Sequence, residues 1–275
     1  MPPTASDSTL AAGQGRYNVF PMYRFVAALL CFIVTLPACS SADSDLRPHP
    51  DDQQEETAMR ANLAKEIRMR VRATASETGV EDLDDGIVAA IGEIPRHAFV
   101  PPPLRPFAYL DIPLPITRDQ NIAQPSLMAL MTQLARIGKD DVVFETGTDS
   151  GYHAAILARL ARKVYSVEII APLAAQAKER LKRLGYDGIE IQASDGFYGW
   201  AEKGPFDVII IKEAVQDVPP PLLNQLKPGG RLVAPIGPLD QGQTLKLITK
   251  DRNGRIHERG VLPVRFSPLQ GGERI

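Results

Sequence analysis

From Lys139 onward the chain alternates short apolar runs with longer amphipathic stretches. Residues 142–144, 164–167, 189–192, 207–211 and 232–234 are compact, mostly β-branched or aromatic runs of strand length. Between them, 152–161, 172–184 and 219–226 have helical spacing or a helix-opening proline. Apolar strands separated by helices predict an α/β fold with a mostly parallel, doubly wound sheet. Residues 244–249 and 259–266 read as antiparallel strands closing one edge. Upstream, Leu63, Ile67 and Val71 recur at i, i+4 spacing and predict a helix over 58–78, stopped by Gly79. A shorter helix is predicted over 82–91, and another over 126–137 behind Pro125. Between these two lie seven prolines in residues 95–115, which predict an extended segment anchored by Phe99, Val100, Phe107, Tyr109 and Leu114.

The first part of the chain has a different pattern. From Met22 it reads MYRFVAALLCFIVTLPACSSADSD. Arg24 precedes an apolar run over 25–36, followed by Ala38 and Cys39. This is the layout of a secretory signal, and the run is shorter than the about 20 residues that span a bilayer. LPAC resembles a bacterial lipobox, so residues 1–39 are expected to form an export and lipoprotein signal starting at Met22. Cys39 would be lipidated and would anchor the protein to the membrane on the periplasmic side. The competing readings are a short core helix or a mis-assigned start, with a cytoplasmic protein if the signal is not used. Residues 40–57 are polar and acidic and read as a disordered tether, and the folded domain is expected over 58–275.

Composition narrows the functional classes. With 44% hydrophobic and 23% charged residues, the chain is an ordinary globular one. A net charge of -2 without a long basic run gives no sign of a nucleic-acid surface. Two cysteines make no disulfide framework, and the four scattered histidines suggest no metal site.

In such a sheet, ligands bind beyond the carboxyl ends of the strands. The first strand ends at Glu145, and Gly147 and Gly151 then allow a tight turn into a helix opened by Ser150 and Tyr152. Free N–H groups at a helix start favour an anion. Glu168 ends the second strand, where a carboxylate can accept both ribose hydroxyl protons, and Asp195-Gly196 ends the third, where an adenine amino group can be met. Dinucleotides and S-adenosylmethionine both suit this layout. The dinucleotide fingerprint GxGxxG is out of register here, because the run is Gly147-Thr148-Asp149-Ser150-Gly151. S-adenosylmethionine has no phosphate, so its loop can be more polar.

The segment IPRHAFVPPPLRPFAYLDIPLPITRDQNIAQPSLMALMTQL resembles the N-terminal part of protein-L-isoaspartate O-methyltransferases. FETGTDSGYHAAILA, VYSVEI, SDG, LKPGGRLVAPIG and RFSPLQGG resemble that family's later motifs in the same order. The resemblance implies a Rossmann-like S-adenosylmethionine domain with added N-terminal helices. It implies methyl transfer to the carboxylate of isoaspartyl residues in damaged proteins or peptides, which begins their repair. Carried over by motif, the cofactor would be held by Glu145, Gly147, Thr148, Asp149, Ser150, Gly151, Tyr152, Glu168, Ile169, Asp195 and Gly196. Residues 58–138 would carry the substrate side, with Ile122, Gln124 and Pro125, together with Lys212 and Glu213, facing substrate.

The departures from the family pattern fall at the expected site. Ala123 stands where the family has a serine credited with a catalytic or positioning role, and Asn121 stands where it has a threonine. Gln120 and Asn121 are candidate replacement donors. Asp149 stands at the loop's middle glycine, and residues 212–217 replace a small, apolar stretch. Lys212 and Glu213 read either as a solvated loop pair or, for Lys212, as a ligand for a substrate carboxylate. His153 is expected on a helix surface. Tyr198 and Trp200 are expected in the core rather than on the adenine side. Two alternatives to the repair enzyme are a methyltransferase of the same fold with another acceptor and a non-catalytic, membrane-tethered binding protein.

Overall fold

The computed structural model describes residues 50–117 and 120–271, so the expected export signal, Cys39 and the first part of the tether lie outside the described residues. The described residues begin with helices α1 (Pro50–Ala73), α2 (Ala75–Thr78) and α3 (Asp85–Glu93). Residues 50–57, expected as part of the tether, are helical. Gln53 to Glu56 are good helix formers, and the Thr57 hydroxyl bonds the Gln53 carbonyl at 2.8 Å. The helix then docks through Arg60, whose Nε donates to the Gly92 carbonyl at 3.2 Å. Leu63, Ile67 and Val71 are buried as their spacing predicted.

The proline-rich segment is not extended. It forms two 3-10 turns, Arg96–Phe99 and Pro102–Phe107. The fixed φ of proline suits the first turn of a tight helix as well as an extended chain, and composition alone does not separate the two. Phe99, Val100 and Leu114 are buried anchors, whereas Phe107 is exposed. A minimal antiparallel pair follows, β1 (Leu114–Pro115) with β2 (Asn121–Ile122), leading into α4 (Pro125–Ala135).

The remaining elements alternate as predicted: β3 (Val142–Thr146), α5 (Tyr152–Leu160), β4 (Lys163–Glu168), α6 (Ala171–Arg183), β5 (Ile189–Ala193), β6 (Phe206–Ile210), α7 (Pro220–Gln225), β7 (Leu226–Ile236), β8 (Gln243–Lys250) and β9 (Ile256–Val264). They form a seven-stranded sheet in the order β5-β4-β3-β6-β7-β8-β9, with β8 and β9 antiparallel. Consecutive strand residues serve opposite faces. Val143, Val208 and Ile210 pack against the helical layer of α1, α3, α4 and α5, while Phe144, Ile209 and Ile211 pack with Phe206, Leu222 and Leu232. The connections from β3 and β6, which are neighbours in the sheet, leave toward opposite sides. Their loops therefore open a crevice at the carboxyl ends of the two strands.

Candidate active site

The loop after β3 is held in a shape that explains its glycines. Gly147, Asp149 and Gly151 all adopt left-handed backbone, with φ of 60°, 53° and 88°. Asp149 thus stands at a position where glycine is the unstrained choice, and it is one of the few other residue types that tolerate it. Its backbone N–H donates to Glu168 Oε2 at 2.9 Å, and the Ile170 N–H donates to Glu168 Oε1 at 2.9 Å. The carboxylate at the end of β4 is therefore fixed from both sides. Thr148 is tied to β4 through its N–H to the Val167 carbonyl at 3.1 Å and its hydroxyl to Ser166 at 2.6 Å.

Beneath the loop lies a buried charge cluster. Glu145 is fully buried; Ser166 donates to its Oε1 at 2.8 Å, and Lys212 Nζ is 3.2 Å from its Oε2. Lys212 also reaches Asp149 Oδ2 at 3.8 Å. The solvated-pair expectation for Lys212 is corrected: only 5% of its side chain is exposed, because β6 delivers it directly beside the β3 carboxylate. Burial alone would push the Lys212 ammonium down, but the surrounding carboxylates Glu145, Asp149 and Glu213 outweigh it and raise its pKa. Burial pushes Glu145 up, against Lys212 and Ser166, and pushes Asp149 well above the usual carboxylate range. Burial likewise raises Glu213 to about 7, opposed by a hydrogen bond from Thr146 Oγ1.

His153 is corrected from helix surface to core. It is 2% exposed, with Nε2 at 2.9 Å from the Thr132 hydroxyl and Nδ1 at 3.7 Å from Glu145. Burial, with Lys212 adding to it, holds its pKa well below the ordinary histidine value, so it is neutral. Tyr152 begins α5, but its side chain turns away from the loop into the helical core against Phe99, with ring centroids 5.5 Å apart. Tyr198 is exposed rather than in the core, while Trp200 packs edge-on against Tyr165 at 5.5 Å.

A cleft of about 30 Å³ opens over this loop, lined by Gln120, Gly147, Glu168, Gly196, Glu213 and Gln270, among others. A larger cavity of about 300 Å³ lies between α3, α4 and α5 but meets none of the strand ends. The structure thus brings Gly147, Glu168, Ile169 and Gly196 to one cleft together with Gln120 and Glu213. The C-terminal segment covers it: Ala214 donates to the Ser267 carbonyl at 2.8 Å, and Leu269 donates back to Ala214 at 2.9 Å. At the third strand end, Asp195 accepts the Phe197 N–H at 2.9 Å and fixes the turn that presents Gly196.

On the substrate side, Asn121 is exposed and Ala123 half-buried, whereas Ile122 and Pro125 are buried and contribute packing rather than side-chain contact. Gln124 is turned to Asp111 at 3.2 Å. Two residues that the sequence reading passed over fix this segment. Arg96, wholly buried, donates to the carbonyls of Ala108 at 2.7 Å, Ile112 at 3.2 Å and Ala123 at 3.4 Å. Asp111 accepts the Ser126 N–H at 2.8 Å at the start of α4 and pairs with Arg70 at 3.1 Å. Their signal in the sequence was a charge set inside an otherwise apolar, proline-rich run.

Comparison with known proteins places this arrangement. The model of the family described as protein-L-isoaspartate(D-aspartate) O-methyltransferase matches residues 73–274. A Polaromonas protein named protein-L-isoaspartate O-methyltransferase 2 is 48% identical over 209 residues, covering 76% of this chain and 99% of its own. A Syntrophobacter fumaroxidans protein of the same name is 48% identical over 215 residues, 78% of this chain and 87% of its own. A solved protein-L-isoaspartate O-methyltransferase superposes with a TM-score of 0.68 at 31% identity, covering 77% of this chain and 66% of that one. A Plasmodium falciparum protein solved in complex with S-adenosyl-L-homocysteine shares the fold, with a TM-score of 0.64 at 23% identity over 77% of this chain and 98% of that one. The chain belongs to the protein-L-isoaspartate(D-aspartate) O-methyltransferase family.

Proposed function

We propose that this chain uses the cleft over Gly147 to methylate the side-chain carboxylate of isoaspartyl residues in proteins or peptides, with S-adenosylmethionine as donor. The observation that carries the assignment of the cleft is Glu168. Its carboxylate is locked by two backbone N–H groups at the end of β4, beside a left-handed loop and facing Gly196 across one cleft. The residues present fit the cofactor. The buried hydroxyls of Ser150 and Ser194, at the loop and at the end of β5, have no hydrogen-bond partner among the described residues. Around the end of β3, four acids (Glu145, Asp149, Glu168 and Glu213) face one lysine, which suits a ligand of net positive charge. The bound donor supplies an electrophilic methyl group on a sulfonium.

An ionised carboxylate is already a nucleophile and needs no strong base, so the protein's task is positioning. Well-oriented reactants can gain up to about 7–11 kcal/mol. Ala123 offers no hydroxyl. Gln120, which lines the cleft, and the exposed Asn121 are the amides placed to donate to a substrate carboxylate. The C-terminal cover at Ser267 and Leu269 keeps water from the strand ends. Calorimetric titration with S-adenosylmethionine, and methyl-ester formation on an isoaspartyl peptide but not on its aspartyl isomer, test the assignment. Methylation of neither peptide by protein that binds the donor would refute the acceptor; no donor binding would refute the whole reading.

The N-terminal signal supports a second proposal, that the chain is exported and held at the membrane by lipid on Cys39, with residues 40–49 as tether. Expressed in a bacterium, the full chain then fractionates with membranes, and Cys39→Ser releases it or leaves the signal uncleaved. Equal recovery of both forms in the cytosol would refute it.

A further inference from the structure

The acids around the end of β3 are not equivalently engaged. Glu145 is bonded by Ser166 and paired with Lys212, Asp149 shares that lysine, and Glu168 is held by two backbone N–H groups. Glu213 differs. Its hydrogen-bond partner is the neutral hydroxyl of Thr146, and among the described residues no cationic side chain lies within ion-pairing distance of it. It is nonetheless drawn into the cleft. A Cβ on Gly147 would lie 2.0 Å from Glu213 Oε1, so the carboxylate rests directly on the backbone of the first loop residue. Gly147, Glu168 and Glu213 line the cleft with Gln120 from the substrate side.

Sheet order gives the position meaning. The strand ends run β5, β4, β3, β6. If Gly196 meets the adenine and Glu168 the ribose, the sulfonium falls between the ribose at β4 and the amino-acid end at the β3 loop. Glu213, which follows β6 and rests on Gly147, is the carboxylate beside that junction with no lysine at ion-pairing distance and no pair of backbone N–H groups holding it. Transfer of the methyl group to a carboxylate turns the sulfonium cation into a neutral thioether and the carboxylate anion into a neutral ester. The charge that Glu213 would face therefore exists before the reaction and not after it.

We propose that Glu213 is the residue by which this enzyme distinguishes the cationic methyl donor from its neutral thioether product, holding the first and easing release of the second. The proposal rests on the cofactor assignment above. Protonation follows from the same arrangement. The groups facing Glu213 are Thr146 and Glu145 of β3, Asp149 of the next loop, Glu168 of β4 and its neighbour Lys212. Burial among them places Glu213 at about 7, so near neutral pH the free cleft is partly protonated and a cationic ligand displaces that proton.

The test is calorimetric titration of the full chain with S-adenosylmethionine and with S-adenosylhomocysteine, for the unaltered protein and for Glu213→Gln and Glu213→Asp. Glutamine keeps an acceptor for Thr146 while removing the charge. Glu213→Gln is expected to weaken the donor about tenfold, or about 1.4 kcal/mol, and the product less than twofold, while Glu213→Asp keeps most of the preference. Titration in two buffers of different ionisation heat should show proton release on donor binding by the unaltered protein and its loss in Glu213→Gln; persistence of the release would assign it to Asp149 and overturn the claim. Equal weakening of both ligands, or of neither, would also overturn it. Should the glutamine variant not fold, the unaltered protein decides. Its preference for donor over product should shrink as pH falls from about 8 to about 6, and a preference independent of pH would overturn the proposal. Binding of neither ligand by the unaltered protein would instead overturn the cofactor assignment.

Discussion

Lys212→Met tests whether the buried cluster is an electrostatic unit. Methionine has nearly the same length and fills the space without the ammonium, so the change removes charge with little loss of packing. Lys212 is 5% exposed, lies 3.2 Å from Glu145 and 3.8 Å from Asp149, and raises no cavity question. Removing one partner of a buried ion pair typically costs about 3–5 kcal/mol because the remaining charge is stranded. For a domain of this size, with about 2–4 °C per kcal/mol, the melting temperature should fall by about 6–20 °C at pH 8.

The sign of the pH dependence follows from the carboxylates. Glu145 and Asp149 already titrate above their ordinary values through burial, and without Lys212 they rise further. A carboxyl whose folded pKa is raised costs stability once pH exceeds its unfolded value, and the cost grows until pH passes the folded one. The loss in Lys212→Met should therefore be large at pH 8 and shrink toward pH 5, where protonation replaces the missing cation. Urea denaturation at the two pH values measures it. A loss below about 1 kcal/mol at pH 8, or one that does not change with pH, would refute the reasoning. Coupling adds a control, since Asp149→Gly in the Lys212→Met background should recover part of the loss.

Three further outcomes follow from the same geometry. Asp149→Gly alone should stabilise by about 1 kcal/mol in denaturant titrations, because it relieves a left-handed aspartate at φ 53° and removes a carboxylate that burial disfavours in its charged form. Gly147→Ala should destabilise by about 1–2 kcal/mol, since its backbone is left-handed and its Cβ would meet Glu213 Oε1 at 2.0 Å; a crystal structure should show the Glu213 carboxylate displaced. Ala123→Ser should raise turnover of an isoaspartyl peptide by up to about tenfold, the value of one oriented hydrogen bond, if the hydroxyl acts in the transition state; a lower KM with unchanged kcat would place it in ground-state binding instead.

The α/β alternation was legible because β3, β4 and β6 are short and largely buried on both faces, and β3 and β4 are each followed by a helix of ordinary length. Such a pattern has few other solutions. Tight turns were less legible. Pro101 to Pro106 could have been extended, and what winds them is tertiary: Arg96, buried beneath, gathers the carbonyls of Ala108, Ile112 and Ala123. A hydrogen-bond hub of this kind joins residues up to 27 positions apart and leaves no local periodicity to read. The start of α1 was missed for a related reason. Residues 50–57 are polar on every side, and polarity marks an undocked helix as readily as a tether.

At the site, residue types at strand ends could be read, but their partners could not. Asp149, Lys212 and Glu213 stand in the sequence as separate departures from a family pattern, two of them 63 and 64 positions after the first. The pairing of β3 with β6 makes them neighbours. Lys212 then offsets Asp149 and Glu145 together, and Thr146 accommodates Glu213. A carboxylate introduced alone at position 149 would have faced Glu145 and Glu168 in a low-dielectric site with no cation to offset it. A lysine introduced alone at position 212 would have found only Glu145. Asp149 is energetically tolerable chiefly beside Lys212, whereas Lys212 keeps Glu145 as its nearer partner. Their joint occurrence is what folding requires of a remodelled strand end, because a buried charge left unmatched there would cost stability.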